Sequence, residues 1–140
     1  MRNRSYKTIH ITLDGGRVSR IRAVSGILPA LRALGLDLEA VSCGGTTDSW
    51  VQEREQWHSG SNLFAFAPGK VLCYARNEAT LAEMDKHGFA VISARDVISG
   101  KKKLDDYARC CVTIQGSELP RGGGGARCMT MPLSRKAVEW

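Results

Sequence analysis

Residues 8–13 alternate polar Thr8, His10 and Thr12 with apolar Ile9, Ile11 and Leu13. This period of two predicts a strand, and Asp14-Gly15-Gly16 predicts a hairpin turn into a second extended segment. Leu28, Leu31, Ala33 and Leu34 then fall at helical spacing. Pro29 is tolerated in a first helical turn and Gly35 stands where a helix stops, so a helix is expected here, followed by a strand over 38–41. The same order recurs further on. Apolar segments 63–66 and 71–74 flank the Pro68-Gly69 turn, Asn77 is expected to cap a helix running to about His87, Gly88 ends it, and 89–92 form a strand.

The pattern is therefore ββαβ twice, in repeat units of about 7–43 and 62–95. The turn glycines Gly16 and Gly69 and the helix-ending glycines Gly35 and Gly88 are each separated by 53 positions, so the units superpose without a gap. Such units bury a helix against a small mixed sheet and leave open edges that further units cover, which places this chain within something larger. After the second unit, 99–108 with its three lysines reads as an exposed loop and 110–114 as a buried strand.

Composition narrows the class. With 140 residues, 43% hydrophobic and 24% charged, residues 1–140 are expected to form a single α/β (α+β) domain. No run approaches the roughly 18 apolar residues of a membrane helix, and no signal-peptide core follows the opening MRNRSYK, so a cytoplasmic protein without a membrane partner is expected. The five cysteines are an odd number, and no Cys/His group has metal-ligand spacing. Free thiols, and neither metal nor cofactor, are the expectation. The net charge of +6 is concentrated near the start and in Lys101, Lys102 and Lys103, which a solvated face explains more simply than nucleic acid.

Candidate chemistry lies in residues 116–133, GSELPRGGGGARCMTMPL. Gly122, Gly123, Gly124 and Gly125 allow backbone conformations barred to other residues and close approach to a ligand. Cys128 ends that run and is expected to enter a short apolar strand. Its thiol then stands at a loop mouth among Arg121, Arg127 and free backbone N–H groups, which favour thiolate. A small buried hydrophobe beside Met129 and Met131 is the other reading of the same residue. Cys43, Cys73, Cys110 and Cys111 read as core. The phosphate-loop patterns GxxxxGK[ST] and GxGxxG are absent, and one RGGGG without interleaved aromatics is no RNA-binding repeat. His10, His58 and His87 have no local pairing with Cys128. The polar stretch 51–62, close to Trp50 and Trp57, reads as an irregular connection that offers a binding surface.

Taken together, EREQW at 53–57, the SGSN that follows, the APG turn at 67–69 and the 116–133 loop resemble the arginine deiminase family. The resemblance runs from about residue 27 onward and corresponds to the carboxy-terminal part of that family's catalytic domain. It implies a partial pentein αβ-propeller with about two ββαβ blades, and a hydrolase acting on a guanidino substrate, L-arginine. In the family a cysteine attacks the guanidinium carbon, ammonia leaves, and water releases citrulline. Cys128 matches that nucleophile, Asn62 matches a residue that holds the substrate's amino-acid end, and Arg121 matches the first arginine of the glycine-rich loop. Gly122, Gly124 and Gly125 are implied as loop supports. Gly123 stands where the family has a second arginine and Pro120 replaces a glycine. The segment bearing the general-base histidine and guanidinium-binding acids is missing, and Glu53 and Glu55 read as supports of the loop. The resemblance thus implies a fragment or split subunit that needs a complementary amino-terminal half, or self-association into a homo-oligomer. The alternative is a non-catalytic binding or assembly module of the same fold.

Overall fold

A computed structural model describes residues 7–137. The chain divides into two compact units, 1–40 and 41–140.

In the first unit, strands β1 (Thr8–Asp14) and β2 (Arg17–Val24) pair antiparallel, with Ile11 opposite Ile21 and His10 opposite Arg22. Arg22 donates to Nδ1 of His10 from Nη2 at 2.9 Å. Helix α1 (Ile27–Ala33) follows, and Gly35 leaves it at φ 85°. The strand expected over 38–41 does not form; that stretch has no regular structure. A strand exists only by pairing its backbone groups with a neighbour, and the sheet of this unit contains β1 and β2 alone.

The second unit is built on a four-stranded sheet of order β3 (Phe64–Ala67), β4 (Lys70–Tyr74), β6 (Cys110–Ile114), β5 (Ala90–Ser93). β3 runs antiparallel to β4, whereas β6 lies between β4 and β5 and parallel to both. The strand that the sequence placed after the second repeat therefore completes the sheet from within. Alternation along β6 gives each face its own core. Cys111 packs with Cys73, Leu81 and Met84 on one side, while Cys110 and Val112 pack with Ile92 on the other.

Helix α2 (Ser49–Trp57) takes the first part of the irregular connection expected at 51–62, and only 58–62 of it is irregular. Its residues form no apolar stripe to betray it, and its ends carry the signal instead: the Asp48 carboxylate accepts from the backbone N–H of Trp50 at 2.8 Å and of Val51 at 3.3 Å. Helix α3 (Glu78–Lys86) starts after Asn77 as expected, yet Asn77 makes no side-chain cap. The fully buried Glu55 of α2 takes that role. Its two carboxylate oxygens accept from the N–H groups of Ala79 at 3.0 Å and Thr80 at 2.8 Å, and from the Thr80 hydroxyl at 2.6 Å. A short helix α4 (Ala94–Ile98) and a 3-10 turn (Leu104–Asp106) lie in the stretch between β5 and β6. Among the described residues the architecture is mixed α/β with two small sheets, four helices and no closed barrel.

Candidate active site

The site gathers at the ends of α2 and β4. After α2 the chain turns sharply through 58–62: the Gly60 N–H donates to the Glu55 carbonyl at 2.7 Å, and the Asn62 N–H to the Ser59 carbonyl at 3.0 Å. Ser59 sits at φ 58°, the one non-glycine in the left-handed region among the described residues. The turn presents the Asn62 side chain, whose Nδ2 donates to Cys128 Sγ at 2.9 Å.

Glycine makes the approach of the second loop possible. A Cβ on Gly125 would lie 2.7 Å from Cβ of Asn62 and 3.0 Å from Cβ of Ser59, and one on Gly124 would lie 3.0 Å from Cβ of Cys128. The stem of this loop is clamped to the end of β4. Gly116 lies against the ring of the buried Tyr74, Arg76 Nη1 donates to the Ser117 carbonyl, and the Tyr74 hydroxyl reaches Met129 Sδ at 3.8 Å. No strand follows Cys128, contrary to expectation; residues 126–129 form a turn. Its geometry follows from the bond of the Met129 N–H back to the Gly125 carbonyl.

Cys128 is exposed, and its thiol is held below the ordinary cysteine range. The Asn62 amide is the main cause, the Gly125 backbone the second, and the positive charge of Arg127 a minor one. Two core thiols are shifted the other way. Cys110 is pushed up by burial, and Cys73 is raised by its hydrogen bond with Cys111 and then by burial. Burial also raises Tyr74, with the negative charge of Cys128 adding to the effect. The expectation of a thiolate among Arg121, Arg127 and backbone N–H groups holds for the Gly125 backbone and, as a minor contribution, for Arg127; the leading contribution, the Asn62 amide, was not part of it.

The structure brings Asn62, Gly124, Gly125 and Cys128 together. Arg121 stands apart in a 3-10 turn (Leu119–Gly122), paired with Glu118 at 3.1 Å, with both side chains largely exposed. A Cβ on Gly122 would meet nothing within 4 Å, so close packing is not what requires glycine there. His58 turns its Nδ1 to the Arg54 carbonyl at 2.6 Å. Glu55 serves the α3 cap, and Glu53 Oε2 is buried without a hydrogen-bond partner. Sequence reasoning missed Tyr74, Arg76 and Asn77, although the run YARN directly after a strand that leads toward the site was the available signal.

The sequence pattern of the arginine deiminase family matches residues 30–135, three quarters of the chain, and this span contains every residue around Cys128. The chain belongs to the arginine deiminase family. The arginine deiminase of Mycoplasma capricolum subsp. capricolum is 38% identical over 107 residues, covering 76% of this chain and 21% of that protein. The arginine deiminase of Clostridium perfringens is 41% identical over 100 residues, covering 71% and 19%. The chain thus spans about a fifth of the length of the arginine deiminases it matches. The arginine deiminase match begins within α1, and the β1–β2 hairpin precedes it.

Proposed function

We propose that this chain carries the nucleophile of an arginine deiminase, with Cys128 attacking the guanidinium carbon of L-arginine in a site completed by residues from elsewhere. The observation that supports this most directly is the thiol of Cys128, solvent-accessible and held by the Asn62 amide and the Gly125 backbone. Hydrogen bonds that favour the charged form keep a larger share of the sulfur as thiolate at neutral pH.

In the proposed reaction the thiolate adds to the carbon, an amino nitrogen takes a proton and leaves as ammonia, and an S-alkylthiouronium remains on Cys128. Water adds to that carbon, the C–S bond breaks, and citrulline departs with the thiolate regenerated. No cofactor enters. A cationic substrate needs carboxylates around it, and stabilising the tetrahedral centre requires pre-placed groups. Among the described residues the hydrogen-bond partners of Cys128 are the Asn62 amide and the Gly125 backbone, neither of them a carboxylate or a histidine. A complementary amino-terminal half, or a second copy, supplies them in this reading. The two glycine pairs spaced by 53 residues adopt matching left-handed conformations, with φ 77° and 71° for Gly16 and Gly69, and 85° and 83° for Gly35 and Gly88. These support reading the chain as two blades of a pentein propeller.

A second reading is a binding module without turnover. It is favoured by Arg121, which is engaged by Glu118, and by Gly123 in place of the loop's second arginine. Citrulline release from L-arginine by the purified chain, alone and mixed with an amino-terminal deiminase half, separates the two. Turnover abolished by Cys128→Ala establishes the nucleophile. No citrulline in either mixture, with L-arginine still bound, establishes the binding module.

A further inference from the structure

The residue at the N-cap position of α3 is free of the duty its place implies. Asn is favoured there because its side chain accepts from the helix's first N–H groups. Here Glu55 occupies those groups, and Asn77, only 3% exposed, turns its amide the other way. Asn77 Nδ2 donates to the His58 carbonyl at 3.0 Å. That carbonyl opens the turn whose last residue, Asn62, donates to Cys128 Sγ. The turn has little intrinsic reason to keep its shape, since it contains a serine in the left-handed region, a conformation that costs about 1 kcal/mol or more unless its surroundings impose it. Asn77 Oδ1 is buried without a hydrogen-bond partner, a cost that only the Nδ2 contact offsets within this side chain.

We propose that Asn77 is a positioning residue for the Cys128 thiol: its bond to the His58 carbonyl fixes the 58–62 turn and thereby holds the Asn62 amide on Sγ. The inference rests on the reading of Cys128 as the reactive thiol. Division of labour follows from the geometry, with Glu55 holding α3 and Asn77 holding the site.

The test is the rate and pH profile of Cys128 alkylation by iodoacetamide in the full chain, read by peptide mass spectrometry. Asn77→Ser is the main variant, because serine keeps a good N-cap residue on α3 but is too short to reach His58. Alkylation at pH 7 should slow roughly three- to tenfold, the size expected for loss of one hydrogen bond to a partly exposed thiolate, with the profile displaced to higher pH. With Asn62→Ala already in place, Asn77→Ser should slow the reaction no further, since Asn77 acts through Asn62. The core variant Ile92→Ala, in the cluster on the opposite face of the sheet from α3, should lower the melting temperature and leave the profile where it was. An unchanged profile in Asn77→Ser, an additive effect in the double variant, or an equal shift in Ile92→Ala would each overturn the proposal. If wild-type Cys128 reacts no faster than a thiol of the unfolded chain, the nucleophile assignment itself falls, an outcome distinct from these three.

Discussion

At the scale of single residues, the five cysteines are chemically sorted by where the fold puts them. Cys73, Cys110 and Cys111 are core side chains, whereas Cys128 is exposed and receives hydrogen bonds. Because its native pKa is depressed, the thiolate fraction near neutrality is larger in the folded chain than in the unfolded one. Alkylation of Cys128 should therefore slow when urea unfolds the protein and the pH profile moves up, while the three buried thiols speed up as they become accessible. Asn62→Ala should reproduce the Cys128 half of that change in the folded state, with iodoacetamide rates at pH 7 falling roughly three- to tenfold. Gly125→Ala places a methyl group inside contact distance of Asn62 and Ser59. It should destabilise the chain by about 1–3 kcal/mol in urea denaturation and slow alkylation as well, because the loop must back away from Asn62. The sequence showed Cys128 and the glycines before it; that Asn62, 66 residues earlier, would be the thiol's donor was not visible, since the resemblance singled out Asn62 for the substrate's amino-acid end.

At the scale of elements, the decisive contact is a carboxylate from one helix on the first N–H groups of another. Glu55 is fully buried, accepts from Ala79, Thr80 and the Thr80 hydroxyl, and meets Arg54 Nη2 at 3.0 Å. Glu55→Ala leaves those donors buried without partners and should cost about 3–5 kcal/mol in urea denaturation. A loss below about 1 kcal/mol would mean that water replaces the carboxylate and that α3 does not depend on α2. Asp48→Ala, at the exposed start of α2, should cost only about 1 kcal/mol. Glu53 and Glu55 read as supports of the loop, whereas the Glu55 carboxylate holds the start of α3, and α2 itself went unseen. Its nine residues offer no apolar periodicity, and its stability comes from contacts with residues some 25 positions later.

At the scale of the whole molecule, the two units contrast in how they bury their strands. β6 is flanked on both sides and its Cys110 and Cys111 are fully buried, whereas Ile9, Ile11, Leu13, Val18 and Ile21 of the hairpin are all more than half exposed. Hydrogen exchange should therefore be slowest at the β6 amides and faster along β1 and β2; slowest exchange in the hairpin would contradict this ordering. Period-two and helical patterning, together with turn glycines, determined the hairpin, β3, β4, α3, β5 and β6, because those signals act over a few neighbouring residues. The sequence also determined the family, through short motifs that need no geometry to be recognised. Tertiary structure decided the rest. It denied a strand to 38–41, which pairs with no strand, and inserted β6 between β4 and β5. It moved the α3 cap from Asn77 to Glu55, and set Asn62 rather than an arginine against Cys128. In each case the deciding free energy lies in hydrogen bonds and burial between residues far apart in the chain, which local patterning does not encode.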